Sequence, residues 1–71
     1  MTRTELIDAV RDESWDDAFT ARVIHAIETV DLDALNAYDR DLSDIDETTC
    51  DDLTLVALSV SYFNEYDRLI D

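Results

Sequence analysis

Residues 50–70, CDDLTLVALSVSYFNEYDRLI, contain most of the strongly apolar side chains of a chain that is otherwise rich in Asp. At about 100° per residue, the polar side chains of this stretch fall into one narrow stripe and apolar side chains occupy most of the remaining circumference. The stripe consists of Thr54, Ser61, Glu65 and Arg68. This pattern is typical of a helix that neighbours cover on several sides. We therefore predict that residues 50–70 form the central helix of the fold.

A strand is the alternative structure for part of this stretch, because alternate positions from Val56 to Tyr62 are apolar and β-branched residues favour strands. The helix is favoured because the apolar pattern continues to residue 70 without Gly or Pro. Thr49 is a suitable N-cap, the first turn is acidic, and Arg68 suits the C-terminal end of a helix dipole.

The size and composition of the chain indicate one small domain. Its 71 residues are 46% hydrophobic, which is ordinary for a globular protein, and we predict a single helical domain over residues 1–71. The one Cys excludes an internal disulfide, and the N-terminal residues lack the long apolar core of a signal peptide. The uncharged run from Leu53 to Asn64 is shorter than the roughly 20 apolar residues that span a bilayer. We expect a cytoplasmic protein with no membrane partner.

Two N-cap patterns in the N-terminal half are each followed by apolar residues at helical spacing. Thr2 and Glu5 form a capping box that predicts a first helix. Ser14 and Asp17 are the predicted cap of a second, amphipathic helix. The predicted inner faces are Leu6, Ile7 and Val10 in the first helix, and Trp15, Phe19, Val23, Ala26, Ile27 and Val30 in the second.

The middle of the chain predicts a third helix and then a loop. Asp31 or Asp33 is its predicted N-cap, and residues 43–49 are the loop because the apolar pattern stops there. The predicted inner face of the third helix is Leu32, Leu35, Tyr38 and Leu42. No Gly or Pro enforces a break, so a kinked continuation of the second helix into the third is the alternative. The predicted fold class is all-α, a compact bundle of three to four helices with residues 50–70 as the central helix.

The charge of the chain is strongly negative and narrows the classes of function. Nineteen acidic residues stand against five basic ones, all Arg, and the net charge is −14. Direct binding of nucleic acid is disfavoured, because the phosphate backbone would be repelled. Three uses of this charge are attraction to a basic protein, cation binding, and solubility in concentrated salt. The lack of Lys and the excess of Asp over Glu also fit a halophilic protein whose acidic surface serves solubility.

The acidic residues are densest between residues 31 and 52, which carry nine carboxylates and one base, Arg40. Carboxylates two to four residues apart lie roughly 5–10 Å from one another, a spacing comparable to that of successive phosphates of a nucleic-acid strand. Such a face fits the basic groove of a nucleic-acid-binding protein. The predicted partner-binding acidic face consists of Asp39, Asp41, Asp44, Asp46, Glu47, Asp51 and Asp52.

Patterns for catalysis and metal binding are incomplete. An EF-hand frame that starts at Asp39 has Asp44 in place of its Gly and Cys50 in place of its final Glu. His25 lies on the flank of the second helix, so we interpret it as a surface residue. Neighbouring acids oppose a thiolate at Cys50. Because Gly is absent, phosphate-binding loops are excluded. We predict no enzymatic activity, no catalytic residues, no cofactor and no metal site.

The chain resembles a known class of proteins in four features. They are its small size, its helical character, its lack of Lys and its acidic run from Asp39 to Asp52. It resembles the DNA-mimic inhibitors encoded by phages and mobile elements, acidic anti-CRISPR proteins in particular. The resemblance covers size, charge and helical character over the whole chain. It implies binding to the basic nucleic-acid channel, or to the PAM-reading site, of a CRISPR effector in the host cytoplasm. Acidic immunity proteins that neutralise nuclease toxins share the same physical basis with another target.

The aromatic residues leave the oligomeric state open. Trp15, Tyr62, Phe63 and Tyr66 suit the core of a monomer and the interface of a homodimer equally well. Both states remain alternatives at the level of the sequence, and a homodimer would change how the acidic residues are displayed.

Overall fold

Four helices follow one another in the computed structural model of the protein, which describes residues 1–38, 42–63 and 69–70. They are α1 (Arg3–Asp12), α2 (Asp17–Thr29), α3 (Leu32–Asn36) and α4 (Asp52–Phe63). Within the described residues, the only extended pairing is an isolated parallel bridge between Thr2 and Ile70. The predicted all-α class is therefore confirmed. The same residues include no helix that is both long and apolar enough to cross a membrane.

The capping box of α1 forms as predicted. The Glu5 backbone N–H donates to Thr2 Oγ1 at 3.1 Å, and the Thr2 backbone N–H donates to Glu5 Oε1 at 3.1 Å. Asp31 caps α3, since its carboxylate accepts from the Asp33 backbone N–H at 3.0 Å. Val30 between α2 and α3 has an extended backbone, with φ −64° and ψ 142°, so the two helices are separate and do not continue through a kink.

Two predicted caps are wrong by two residues. The Asp16 carboxylate, and not Ser14, accepts from the Phe19 backbone N–H at 3.2 Å and caps α2. Ser14 instead has φ 59°, a left-handed conformation in the turn after α1 that is incompatible with an N-cap. In α4 the capping bond is donated by the Thr54 backbone N–H to Asp51 Oδ1 at 2.8 Å, whereas Thr49 belongs to the preceding turn.

The predicted extent of the central helix is also corrected. The structure describes α4 over Asp52–Phe63, and Leu69 and Ile70 are not helical; residues 64–68 lie outside the described part of the chain. Ile70 pairs with the N-terminal segment: its N–H donates to the Met1 carbonyl at 2.9 Å, and the Arg3 N–H donates to the Ile70 carbonyl at 3.1 Å. Leu69 is 1% exposed, so burial of its side chain accompanies this pairing.

The apolar core forms around α4, which contacts each of the other three helices. The buried apolar side chains are Leu6, Val10, Val23, Ala26, Ile27, Val30, Leu35, Leu55, Val56 and Leu69. Thr54, predicted on the polar stripe, is buried as well, and its Oγ1 forms a 2.9 Å hydrogen bond with Tyr38 Oη. The Arg3 guanidinium donates to the Ile27 and Val30 carbonyls at 2.6 and 2.8 Å, which satisfies the C-terminal end of α2. Because α4 contacts α1, α2 and α3, the central position predicted for α4 is confirmed.

Candidate functional site

The acidic loop, residues 42–51, joins the end of the α3 region to α4 and carries most of the predicted partner-binding face. Its acidic residues and the first residue of α4 are exposed: Asp44, Asp46, Glu47, Asp51 and Asp52. The two remaining predicted residues, Asp39 and Asp41, lie outside the described residues. The loop and the first residue of α4 therefore present five of the predicted carboxylates to solvent along one short segment of chain.

Asp46 organises the middle of the acidic loop. Its Oδ1 accepts hydrogen bonds from the Thr48 hydroxyl at 2.7 Å and from the Thr48 backbone N–H at 2.9 Å. Its carbonyl accepts from the backbone N–H groups of Thr49 and Cys50 at 3.1 and 3.0 Å. The bond from the Thr48 hydroxyl, followed by that from its backbone N–H, lowers the pKa of the Asp46 carboxyl. Asp46 is thus a charged surface residue that also forms a turn.

Arg22 of α2 holds the acidic loop through backbone carbonyls. Its Nη1 donates to the carbonyls of Glu47 at 3.0 Å and Thr48 at 3.4 Å, and its Nη2 donates to the Cys50 carbonyl. These charge-assisted bonds use the fork of the guanidinium, which presents several donors in one plane. The loop is therefore fixed to α2 by its backbone, while the side chain of Glu47 remains exposed.

The two acids at the start of α4 have a structural role besides their charge. Asp51 caps the helix, and Asp52 lies in its first turn, where a negative charge interacts favourably with the helix dipole. Within the described residues, the carboxylates of Asp44 and Glu47 accept no hydrogen bond that forms a cap or a turn. These two are the acids of the loop that can be changed with least effect on folding.

The aromatic groove is a second surface feature and lies beside the acidic loop, between α2 and α4. It has a volume of about 670 Å³. Its walls are Trp15, Phe19, Leu58 and Tyr62, its floor is Leu55 and Ser59, and its rim is Asp16, Glu47 and Thr48. The floor residues are buried, whereas the Tyr62 side chain is 64% exposed. The groove therefore leaves aromatic surface in contact with solvent.

The rings of the groove contact one another closely. The centroid of Trp15 lies 5.6 Å from that of Phe19 and 5.7 Å from that of Tyr62, and Tyr62 meets Phe63 edge to face at 4.9 Å. The Tyr62 hydroxyl donates to Glu13 Oε2 at 3.3 Å, which places a third acidic residue near the rim. By their position in the sequence, Trp15, Phe19 and Tyr62 suit a core or a dimer interface. The placement of Trp15 just before the Asp16 cap is the signal that sets it at the edge of the core.

His25 and Cys50 are the other candidate residues that the sequence singled out. His25 is exposed, as predicted, and Cys50 is half-buried, with its Sγ 3.8 Å from the Glu47 carbonyl. Over residues 1–38, 42–63 and 69–70, no group of three or more His, Cys, Asp or Glu side chains is placed to hold a metal ion. Among the described residues, the acidic loop and the aromatic groove are the two surface features that we consider as candidate sites.

Comparison with known proteins gives no match: no family model, no curated protein and no solved structure is similar to the chain. The functional conclusion therefore depends on the charge and geometry of the two surface features.

Proposed function

We propose that the protein is a non-enzymatic, acidic inhibitor that binds the nucleic-acid-binding surface of a basic protein and competes there with DNA or RNA. In particular, we propose an anti-CRISPR protein that acts on a CRISPR effector complex in the host cytoplasm. The observation that carries this proposal is the row of exposed carboxylates on the acidic loop, in a chain of net charge −14. The protein itself would not bind nucleic acid, because phosphates are repelled by the same charges.

The way the loop is held supports this function. Arg22 and the Asp46 turn fix the backbone of residues 46–50, so the carboxylates of Asp46 and Glu47 are carried by a segment that is ordered before binding. Preorganisation lowers the entropy that binding has to overcome. The negative field of the whole molecule would speed the encounter with a basic groove, as it does for DNA. Salt should weaken the complex, because it screens these charges.

Competition for target DNA tests the proposal. A CRISPR effector loaded with guide RNA is mixed with a fluorescent target duplex, and anisotropy is followed at about 0.1 M salt as the protein is added. We expect the protein to displace the duplex from an effector in a panel, and to lose potency as salt rises. A basic nuclease toxin belongs in the panel, because an acidic immunity protein would inhibit that enzyme. No competition with any member of the panel would contradict the proposal.

Charge-reversed variants locate the binding face. Asp44→Lys with Glu47→Lys changes two exposed acids of the loop and leaves the Asp46 turn and the Asp51 cap intact. We expect this double variant to lose inhibition by at least about tenfold. The matched control is Asp8→Lys with Glu28→Lys, which makes the same change in net charge on exposed positions of α1 and α2. Equal loss in both variants would show that total charge, and not the loop, determines inhibition.

A further inference from the structure

The aromatic groove has the composition of a protein-binding site. Trp and Tyr are the residues most enriched where binding energy is concentrated, and here Trp15 and Tyr62 line a concave surface with a buried apolar floor at Leu55. A groove of about 670 Å³ is large enough for one or two apolar side chains of a partner. Aromatic surface that is exposed to water is unfavourable in the free protein. A partner that covers it removes this apolar surface from water, which favours binding.

The rim of the groove determines the charge of its occupant. Asp16 and Glu47 border the groove, and Glu13 accepts the hydrogen bond from Tyr62 at its outer edge. Basic side chains of a partner would meet carboxylates at each of these positions. An Arg side chain of the partner would in addition form a cation–π contact with the ring of Trp15. Anionic ligands such as nucleic acid or an acidic lipid surface would be repelled by the same rim.

A second copy of the chain is a poor occupant. In a symmetric dimer the same patch lies on both sides of the interface, so the rim acids would face their own copies. Each chain also brings a net charge of −14, and repulsion between like charges opposes association at low salt. The charge of the groove therefore favours a basic partner over self-association.

We propose that the aromatic groove binds an amphipathic basic segment of the partner protein, with an apolar side chain in the groove and Arg or Lys on the acidic rim. This inference rests on the proposed function in that it requires a basic protein partner. The groove adds a specific apolar contact to the electrostatic attraction that the acidic residues provide. Glu47 belongs to both the rim and the acidic loop, so the two features form one continuous surface. The groove then provides the selectivity between basic partners that a field of carboxylates lacks.

Two synthetic peptides test this inference without a CRISPR effector. The Arg–Leu peptide forms a helix with Leu on one face and Arg on the other, and the Arg–Ser peptide has the same length and charge with Ser at each Leu position. Trp15 is the only Trp of the chain and lies in the groove, so its fluorescence reports occupancy. At about 0.15 M salt we expect the Arg–Leu peptide to bind at least about tenfold more tightly and to change the Trp15 emission.

Matched variants separate the groove from the loop. Tyr62→Ser removes an exposed groove wall and should abolish the preference for the Arg–Leu peptide, whereas Ile70→Ser, which changes another exposed apolar residue (54%), should preserve it. The Asp44→Lys and Glu47→Lys double variant should weaken both peptides. Circular dichroism establishes that each variant is folded before the titration.

The outcomes distinguish this inference from the proposed function. Equal binding of the two peptides by the wild-type protein, or an unchanged preference in Tyr62→Ser, would overturn the groove as an anchor. Competition with target DNA in the effector assay would be unaffected by that result. A dimer at about 0.1 M salt in sedimentation experiments, dissociated by Tyr62→Ser, would make a second copy the occupant and would also overturn the inference.

Discussion

At the scale of single residues, Asp46 combines two roles in one side chain. One of its carboxylate oxygens accepts two hydrogen bonds from Thr48, and the same residue is an exposed negative charge of the proposed binding face. Hydrogen bonds to a carboxylate favour its ionised form. The hydrogen bonds that form the turn at Asp46 therefore also favour the negative charge of its carboxylate.

Thr48→Val tests this coupling. The substitution removes the hydroxyl donor but keeps the backbone donor, so we expect the pKa of the Asp46 carboxyl to rise toward the ordinary Asp value of about 3.9. In the wild-type protein the folded pKa lies below the unfolded one. The stability that Asp46 contributes is therefore present above the unfolded pKa and is lost as pH falls through the folded pKa.

Carboxyl NMR titration of Asp46 measures this effect. Thr49→Val is the matched control, because Thr49 contacts Asp46 through its backbone N–H, and we expect no change of the Asp46 pKa in that variant. A Thr48→Val protein with the wild-type titration would mean that the hydroxyl does not stabilise the ionised carboxyl.

At the scale of elements, two residues are candidate N-caps of α4: Thr49, which the sequence predicts, and Asp51, which the structure shows. Asp51 caps the helix, so Asp51→Ala should lower the free energy of unfolding by about 1 kcal/mol. Thr49→Ala should change it by less than about 0.5 kcal/mol. Asp51→Asn is the control for charge, because Asn can cap the helix as well as Asp can. Urea unfolding followed by circular dichroism measures all three, and a larger loss in Thr49→Ala would identify Thr49 as the cap.

Local patterns predicted most of the helices, whereas contacts between distant residues decided where some of them begin and end. The Thr2–Glu5 capping box lies within one turn, so the sequence contains all of its partners. The start of α4 depends on the turn at Asp46, which Arg22 holds from another helix. Ile70 was predicted in the central helix but pairs with Thr2, a contact that no helical periodicity encodes.

The candidate site was predictable only where charge density marks it. The exposed acids of the loop follow from composition alone, since so many carboxylates in a small chain remain in water. The aromatic groove requires Trp15 and Phe19 of the α2 region to meet Leu58 and Tyr62 of α4. Their spacing in the sequence is compatible with a closed core as well as with an open groove, so only the packing of the helices distinguishes the two.

At the scale of the whole molecule, a net charge of −14 on 71 residues opposes the compact state. The core is nevertheless continuous from α1 to α4, and the buried polar side chains of the described residues are all hydrogen-bonded. We therefore expect cooperative thermal unfolding at about 0.1 M salt, and a higher melting temperature at about 2 M salt because the charges are then screened.

Circular dichroism melting at the two salt concentrations measures this. A protein that folds only in molar salt would contradict the expectation and would support the halophilic alternative, in which the acids serve solubility. Asp8→Asn with Glu28→Gln is the control, because a lower charge should make the melting temperature less dependent on salt.

The absence of Gly has opposite effects on the folded turn at Ser14 and on the unfolded chain. The protein contains no Gly, so the turn after α1 places a residue with a Cβ at φ 59°, at a cost of roughly 1–2 kcal/mol. A chain without Gly has fewer conformations to lose on folding, by roughly 0.4–1 kcal/mol for each Gly that is avoided. The restricted entropy of the denatured ensemble thereby offsets part of the repulsion that so much negative charge imposes on a small fold.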